Sequence, residues 1–208
     1  MFKQFLVLLG RLWSYLYPLR LRQNIKAAYT YLYTGYYARQ LKHCGTWTRL
    51  KPHFVDFRGG QYISIGDNCT FMPSCSLTAW DTYQKQHFTP EISIGDNCSI
   101  GVGSHITAIN SILLGNNVLI GPYVLISDNA HGESKKYHSS IAPNQRPLCS
   151  KGKVVIEDNV WIGQGAMIMP GVHIGAYSII AANSVVTHDI PAYSVTAGTP
   201  AKVIKRIE

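Results

Sequence analysis

Large apolar side chains recur at every sixth residue in four blocks of the chain. An α-helix returns an apolar residue to one face about every 3.6 residues and a strand every second residue, so neither element explains this period. A six-residue period predicts short strands that turn a corner after each repeat and coil into a solenoid with three strands per turn. The sixteen positions are Ile65, Phe71, Leu77, Ile94, Ile100, Ile106, Ile112, Leu114, Ile120, Ile126, Ile156, Ile162, Ile168, Ile174, Ile180 and Val186.

Four residues after twelve of these positions lies a second inward position, which is often small or β-branched. Between the two positions lie turn-forming pairs such as Asp67-Asn68, Asp96-Asn97 and Asp158-Asn159, which tolerate left-handed backbone conformations. The pairs predict the corners of the solenoid. The second inward set is Cys69, Cys75, Cys98, Ser104, Val118, Val124, Ala130, Val160, Ala166, Val172, Ser178 and Ser184.

The repeated segments IGDN, IGVG, IGPY, VWIGQG and IGAY resemble those of the hexapeptide-repeat acyltransferases. The resemblance covers about residues 61–204 and implies an all-β solenoid, a left-handed parallel β-helix that assembles as a homotrimer. General chirality rules favour right-handed parallel crossovers in about 98% of cases, so the left hand follows from the resemblance alone.

Two segments interrupt the repeat, residues 78–93 and residues 132–155. Loops that leave a rigid scaffold usually carry binding function, because the scaffold fixes their ends. We therefore expect an acyltransferase domain over residues 61–208 that includes the 132–155 loop, preceded by a helical appendage over residues 1–60.

The appendage is strongly basic: residues 1–60 contain ten basic side chains and one acidic side chain, a net charge of +9. One apolar helical face is predicted before Pro18 and a second helix after it. Their apolar faces either pack on the solenoid or a neighbouring subunit, or attach residues 1–42 to an anionic membrane. No nucleic-acid-binding motif accompanies the charge. The two faces are Phe2, Phe5, Leu6, Leu9, Leu12, Trp13 and Leu16, then Leu21, Ile25, Ala28, Tyr29, Leu32 and Tyr36.

Candidate chemistry centres on His131, which ends the repeat ISDNAH where the long loop departs. This segment and the later VWIGQGAMIMPGV resemble the maltose, galactoside and capsule-sugar O-acetyltransferases. Asp128, in the same repeat, is a candidate to orient the imidazole of His131, although this sequence does not fix the family's orienting partner. The resemblance implies that His131 is the general base. It also implies that the backbone N–H groups of Gln164 and Gly165 stabilise the oxyanion. Imidazole suits this role because it titrates near pH 7.

The end of the chain, with AGTPAK followed by VIK, resembles the coenzyme A segment of the same family. The resemblance implies acetyl-CoA as cosubstrate and no metal. It places His105 and Asn110 near the acceptor sugar, although His105 stands where the family commonly has an asparagine. The residues implied for coenzyme A are Trp161, Gly163, Ala182, Thr187, Lys202 and Lys205.

The resulting expectation is a direct acetyl transfer from acetyl-CoA to a sugar hydroxyl in surface polysaccharide biosynthesis. Five cysteines without CxxC spacing indicate a reducing compartment, so we expect a cytoplasmic protein that is peripheral to the inner membrane if the appendage binds lipid. A non-enzymatic scaffold and an acetyltransferase for an antibiotic or a small free sugar stay open. The closely spaced histidine pair of a solenoid carbonic anhydrase is missing from the sequence, which disfavours that reading.

Overall fold

The computed structural model describes residues 2–132 and 140–207 as two α-helices, two short 3-10 helices and 24 strands. The α-helices are α1 (Phe2–Leu16) and α2 (Leu19–Ala38), and the 3-10 helices are Gly60–Tyr62 and Pro143–Gln145. The strands are β1 (His43–Cys44), β2 (Arg49–Leu50), β3 (Asp56–Arg58), β4 (Ile63–Ile65), β5 (Thr70–Phe71), β6 (Ser76–Ala79), β7 (Thr82–Tyr83), β8 (Gln86–His87), β9 (Glu91–Ile94), β10 (Ser99–Ile100), β11 (His105–Ala108), β12 (Ser111–Leu114), β13 (Leu119–Ile120), β14 (Leu125–Ser127), β15 (Ala130–His131), β16 (Leu148–Cys149), β17 (Val154–Ile156), β18 (Trp161–Ile162), β19 (Met167–Ile168), β20 (His173–Ile174), β21 (Ile179–Ile180), β22 (Val185–Val186), β23 (Ser194–Gly198) and β24 (Ala201–Arg206).

Three sheets form the walls of the solenoid, and the chain visits them in the same order in every coil. Sheet 1 has the order β1-β4-β9-β12-β17-β20, sheet 2 has β2-β5-β10-β13-β18-β21-β23-β24, and sheet 3 has β22-β19-β14-β11-β6-β3. All pairings within them are parallel except that of the last strand, β24, with β23. The fold is a left-handed parallel β-helix, as the resemblance implied.

The predicted ladders form the core. All sixteen periodic apolar residues are buried, and so are eleven of the twelve second-slot residues. The exception is Ala130, which was predicted to point inward and is exposed. The prediction for Ala130 is wrong because the chain leaves the coil after Ser127. Ala130 then pairs with Cys149 in a separate hairpin.

The corners between sheets 1 and 2 link neighbouring coils through side chains. Asn68, Asn97 and Asn159 adopt positive φ angles of 54°, 58° and 60°, as expected for left-handed corner residues. The aspartate before each asparagine accepts a backbone N–H from the preceding coil, for example Asp158 from Asn116 at 2.7 Å. The polar pairs therefore fix both the turn and the stacking of the coils.

The two interruptions are hairpins, called excursions below, that leave the solenoid at the corner between sheets 3 and 1. The first carries β7 and β8, and the second carries β15 and β16. The second excursion begins before residue 132, the predicted start, because β14 ends at Ser127. His131 therefore lies within the excursion and not at the last place of a coil.

The predicted helices are confirmed, and they differ in their contacts. The second half of α2 packs on the first coil, where Tyr33 and Tyr37 contact the core and Thr34 accepts the N–H of Leu50 at 2.9 Å. Helix α1 has no buried residue in the described chain. Within residues 2–132 and 140–207, no helix combines the length and the hydropathy that a membrane span requires.

Candidate active site

His131 is exposed in β15 and lies beside Tyr83 of the other excursion. Its Nδ1 atom is 3.5 Å from the Tyr83 hydroxyl, which donates its single proton to the Asn144 carbonyl at 2.9 Å. The hydroxyl can then accept from the imidazole, an arrangement that fits the tautomer with the proton on Nδ1. In that tautomer Nε2 is the basic nitrogen of the ring.

Hydrogen bonds join the two excursions and hold Tyr83 in place. The Gln86 side chain accepts the Leu148 N–H at 2.7 Å and donates to the Leu148 carbonyl at 3.0 Å. Gln84 donates to the Asn144 carbonyl at 2.9 Å. Sequence reasoning missed Tyr83, because the hexapeptide period carries no information about which excursion residues meet.

Asp128 is fully buried, and its carboxylate is engaged by backbone. One oxygen accepts the Ile109 N–H at 2.9 Å and the other accepts the Asn110 N–H at 2.8 Å. Among the described residues, Asp128 makes no hydrogen bond to His131. The structure thus places the predicted orienting residue under the turn at 109–110 rather than beside the imidazole.

Replacing Asp128 with Ala is expected to destabilise the chain by about 2–4 kcal/mol, because two buried N–H donors lose their acceptor. For a domain of this size that loss lowers Tm by roughly 5–15 °C, measurable by calorimetry. The kcat of the folded variant at low temperature should stay within about tenfold of the parent, since a general base itself contributes about 10²–10⁴-fold. An unchanged Tm with a much lower kcat would instead support the orienting role.

Of the two residues predicted to contact the acceptor, one lies on sheet 3 and the other at the corner between sheets 3 and 1. His105 is half-buried on β11, its Nε2 is 3.3 Å from the Thr78 hydroxyl, and burial lowers the pKa of its imidazole. The lowered pKa favours the neutral ring at pH 7. Asn110 is exposed, and its side-chain amide is 3.5 Å from the Ser150 hydroxyl.

The predicted oxyanion donors occupy the corner between sheets 2 and 3. The Gly165 N–H donates to the Pro122 carbonyl at 2.9 Å, so it is not free to bind an oxyanion. The N–H of Gln164 donates to no carbonyl of the described residues. The oxyanion prediction is therefore kept for Gln164 and corrected for Gly165.

Small residues keep this corner narrow. A Cβ atom on Gly163 would stand 2.6 Å from the backbone nitrogen of Ala182 in the next coil, so a side chain there would force the coils apart. Trp161 flanks the corner from sheet 2 and is half exposed. The predicted coenzyme A residues Trp161, Gly163 and Ala182 are thus neighbours.

The other predicted coenzyme A residues are more widely placed. Lys202 and Lys205 are exposed on β24, where Lys202 pairs with Ala197 at the edge of sheet 2. Thr187 follows β22 at the corner between sheets 3 and 1, and its hydroxyl is 2.9 Å from the His188 Nδ1 atom. The structure groups the lysines on one edge and places Thr187 across sheet 3 from Ala182.

His131 and Gln164 lie at opposite ends of sheet 3 within one chain. The strand between the two corners, β14, has three residues, which span roughly 10 Å at about 3.3 Å each. Within one chain, the candidate base and the candidate oxyanion donor are therefore associated with corners that the width of sheet 3 separates.

Two family models match the coiled region: bacterial transferase hexapeptide (six repeats) over residues 153–188, and hexapeptide repeat of succinyl-transferase over residues 91–122. Similar curated proteins include WbbJ of Escherichia coli K12, named as an O-acetyl transferase of lipopolysaccharide biosynthesis, with 37% identity over 55% of this chain and 60% of that protein. The galactoside O-acetyltransferase of Lactococcus lactis is 38% identical over 70% of this chain and 64% of its own length. The coiled region therefore contains hexapeptide repeats of the bacterial transferase type, and the chain is similar to O-acetyltransferases over more than half of its length.

Solved structures share the fold of this chain. A hexapeptide-repeat-containing acetyltransferase of Vibrio cholerae is 26% identical, with a TM-score of 0.57 over 86% of this chain and 81% of that one. The N-acyltransferase AntD of Bacillus cereus, solved with dTDP and 3-hydroxybutyryl-CoA, shares the fold with a TM-score of 0.68 at 18% identity over 84% and 87% of the two chains. The chain spans 60% and 64% of the lengths of the two curated relatives.

Proposed function

We propose that this protein transfers an acetyl group from acetyl-CoA to a hydroxyl of a sugar. The observation that carries the proposal is the imidazole of His131, whose Nδ1 faces the Tyr83 hydroxyl and whose Nε2 is the basic nitrogen in the tautomer that this contact fits. Relatives named as O-acetyltransferases, one of them for galactosides, support the same chemistry. Release of free CoA in the presence of a panel of sugars and glycans is the direct assay.

His131 Nε2 takes the proton of the acceptor hydroxyl as its oxygen attacks the acetyl carbonyl. The N–H of Gln164 donates to the carbonyl oxygen, on which negative charge develops. Protonated His131 then returns the proton to the leaving sulfur. Acetyl-CoA supplies the thioester, and no acyl-enzyme is formed. Tyr83 positions the base by holding one tautomer of the ring.

The active enzyme is a homotrimer in which His131 of one chain faces the Gln164 corner of the next. The separation of these groups within one chain supports this arrangement. Exposed apolar side chains flank the Gln164 corner, with Leu119 and Trp161 on sheet 2 and Met167 on sheet 3. Such a patch is typical of a protein interface.

Lys202 and Lys205 hold the phosphates of acetyl-CoA. Changing both to Glu is expected to raise the KM for acetyl-CoA at least about tenfold, because charge-assisted hydrogen bonds become repulsive contacts. The KM for the acceptor should change little. A matched control, Arg39→Glu with Lys42→Glu, reverses two charges of the appendage and should leave the KM for acetyl-CoA unchanged. Equal effects of both double variants would contradict this assignment.

A non-enzymatic scaffold is the competing function, and the binding of coenzyme A separates the two. A ligand that binds only the native state raises Tm, by an amount that corresponds to about 2.7 kcal/mol at 100 times its Kd. Coenzyme A should therefore raise Tm in a saturable way. A scaffold would show no shift and no release of CoA with any acceptor.

The acceptor belongs to a surface polysaccharide or its lipid-linked precursor. The name of WbbJ, which refers to lipopolysaccharide biosynthesis, and the basic appendage support this choice. An antibiotic or a small free sugar is the alternative acceptor. We expect the kcat/KM for a lipid-linked oligosaccharide to exceed the kcat/KM for free monosaccharides and for aminoglycosides.

Residues 1–42 attach the enzyme to an anionic membrane. The apolar residues of α1 are exposed, with relative exposures of 45% for Leu9 and 64% for Trp13. Lys3 and Arg11 lie among them on the same helix. This combination of apolar, aromatic and cationic residues is typical of helices that lie in the headgroup region. No acidic residue precedes Asp56 to oppose the attraction.

Liposome flotation tests this attachment. Binding is expected to rise with the fraction of anionic lipid and to fall with salt, because surface charges are screened within about 10 Å at 0.1 M salt. Changing Arg11, Arg20 and Arg22 to Gln should weaken it strongly. If full-length protein does not float and removal of residues 1–17 dissociates the oligomer, α1 is an interface helix and not a membrane anchor.

A further inference from the structure

A cavity of about 590 Å³ opens between α2 and the first coil of the solenoid, far along the axis from the coenzyme A corner. Helix α2 contributes Lys26 and Tyr29, and the first coil contributes Arg49, Lys51 and His53. Small-molecule sites commonly have volumes of about 300–1,000 Å³, so this space suits a ligand of modest size.

Direct contacts fix the two walls relative to each other. The Leu50 N–H donates to the Thr34 hydroxyl at 2.9 Å, and the Phe54 N–H donates to the Tyr33 hydroxyl at 2.8 Å. The ring of His53 also lies against Tyr33, with 6.4 Å between the ring centroids. The helix and the coil that carry these cations are therefore held on either side of one space by packed and hydrogen-bonded neighbours.

Among the residues that the structure describes, the cavity lining is positively charged and contains no carboxylate. Within the part of the chain that the structure describes, Lys26, Arg49 and Lys51 form no ion pair. The guanidinium of Arg49 donates to the Thr70 hydroxyl at 3.2 Å, and the Lys51 ammonium is 3.3 Å from the Met72 sulfur, a weak acceptor. Most of the donor capacity of these side chains is thus left for a ligand.

We propose that this cavity is a binding site for a phosphoryl group, carried by a phospholipid headgroup or by a soluble phosphate compound. The three cations Lys26, Arg49 and Lys51 around one space repel one another, and an anion of more than one charge relieves that repulsion. The planar fork of Arg49 matches two phosphate oxygens, and the lysines add point charges. Tyr29 offers a hydroxyl and an apolar ring for the group that bears the phosphate.

Inorganic pyrophosphate is the probe for this site, titrated into the full chain at constant ionic strength without acetyl-CoA. Saturable binding of one pyrophosphate per chain is expected. Arg49→Gln with Lys51→Gln should raise its Kd at least about tenfold, because two charge-assisted contacts are lost. The control Arg39→Gln with Lys42→Gln removes two charges outside the cavity and should change the Kd less than about threefold. Equal weakening by both, or no saturable binding, would overturn the proposal.

The single variant Lys26→Gln provides a test that does not touch the solenoid, because this residue is exposed on α2. It too should weaken pyrophosphate binding, and unchanged binding by Lys26→Gln and by the Arg49 and Lys51 double variant would contradict the site.

Vesicles that contain phosphatidylglycerol identify the source of the phosphate. If they displace pyrophosphate, the site takes a lipid headgroup, and if they do not, it takes a soluble phosphate compound. Because neither measurement uses acetyl transfer, failure here leaves the proposed enzymatic function to be judged by its own assay.

Discussion

Replacing His131 with Ala is expected to lower the kcat of acetyl transfer by about 10²–10⁴-fold, the usual contribution of a general base. The fold should survive, because His131 is exposed in an excursion and no ladder of the core includes it. The loss corresponds to about 3–5.5 kcal/mol in the activation free energy, far more than a surface histidine contributes. The rise of rate with pH on the acidic side should vanish as well, since that limb reports protonation of the base.

A matched control for this variant is His43→Ala, which removes another exposed histidine from the first coil. Its kcat should equal that of the parent. The kcat of Tyr83→Phe should lie between those of His131→Ala and His43→Ala. The imidazole of His131 then loses the hydroxyl that holds its tautomer but keeps its basic nitrogen. If His131→Ala retains nearly full kcat with its acidic limb intact, the base is another residue, and His105 is the next to test. His138, which lies in the 132–155 loop and outside the described residues, is the next histidine to test after His105.

Leu119→Glu combined with Met167→Glu is expected to dissociate the oligomer and to reduce kcat/KM at least about 100-fold. Both side chains are exposed beside the Gln164 corner, and facing charges in an apolar contact cost several kcal/mol. The chain itself should stay folded, because the outward positions of the strands do not contribute to the core. Light scattering and circular dichroism report these two properties separately.

Val55→Glu serves as the control for this pair, since Val55 is an exposed apolar residue of the first coil outside the proposed interface. It should keep the oligomer and the activity. An active monomer of the Leu119 and Met167 double variant would contradict a site shared between chains.

The periodic residues were sufficient to predict the solenoid, because a six-residue period has one simple structural solution. Ile65, Ile162 and the other members of the ladders are buried as predicted. The handedness came from family resemblance, since backbone chirality alone favours the opposite hand. Ala130 shows the limit of the pattern: the period runs on through residues that have already left the coil.

The candidate site was only partly predictable, because it depends on contacts between segments that have no period. The contact of Tyr83 with His131 joins two excursions that are 48 residues apart along the chain. Asp128 was a candidate partner for the imidazole of His131, whereas its buried carboxylate accepts hydrogen bonds from the backbone of Ile109 and Asn110. Gly165 likewise satisfies its N–H within the corner.

The shared site is the central claim, and subunit complementation tests it most directly. His131→Ala removes the base, and Ala182→Trp fills the corner of the predicted coenzyme A residues Gly163 and Ala182, so each variant alone should be inactive. When the two are unfolded together and refolded as mixed trimers, one site in four combines an intact His131 with an intact Ala182 from the neighbouring chain, so about a quarter of the parent activity is expected. No recovery of activity in verified mixed trimers would contradict the account, because it would mean that each site needs both residues from the same chain.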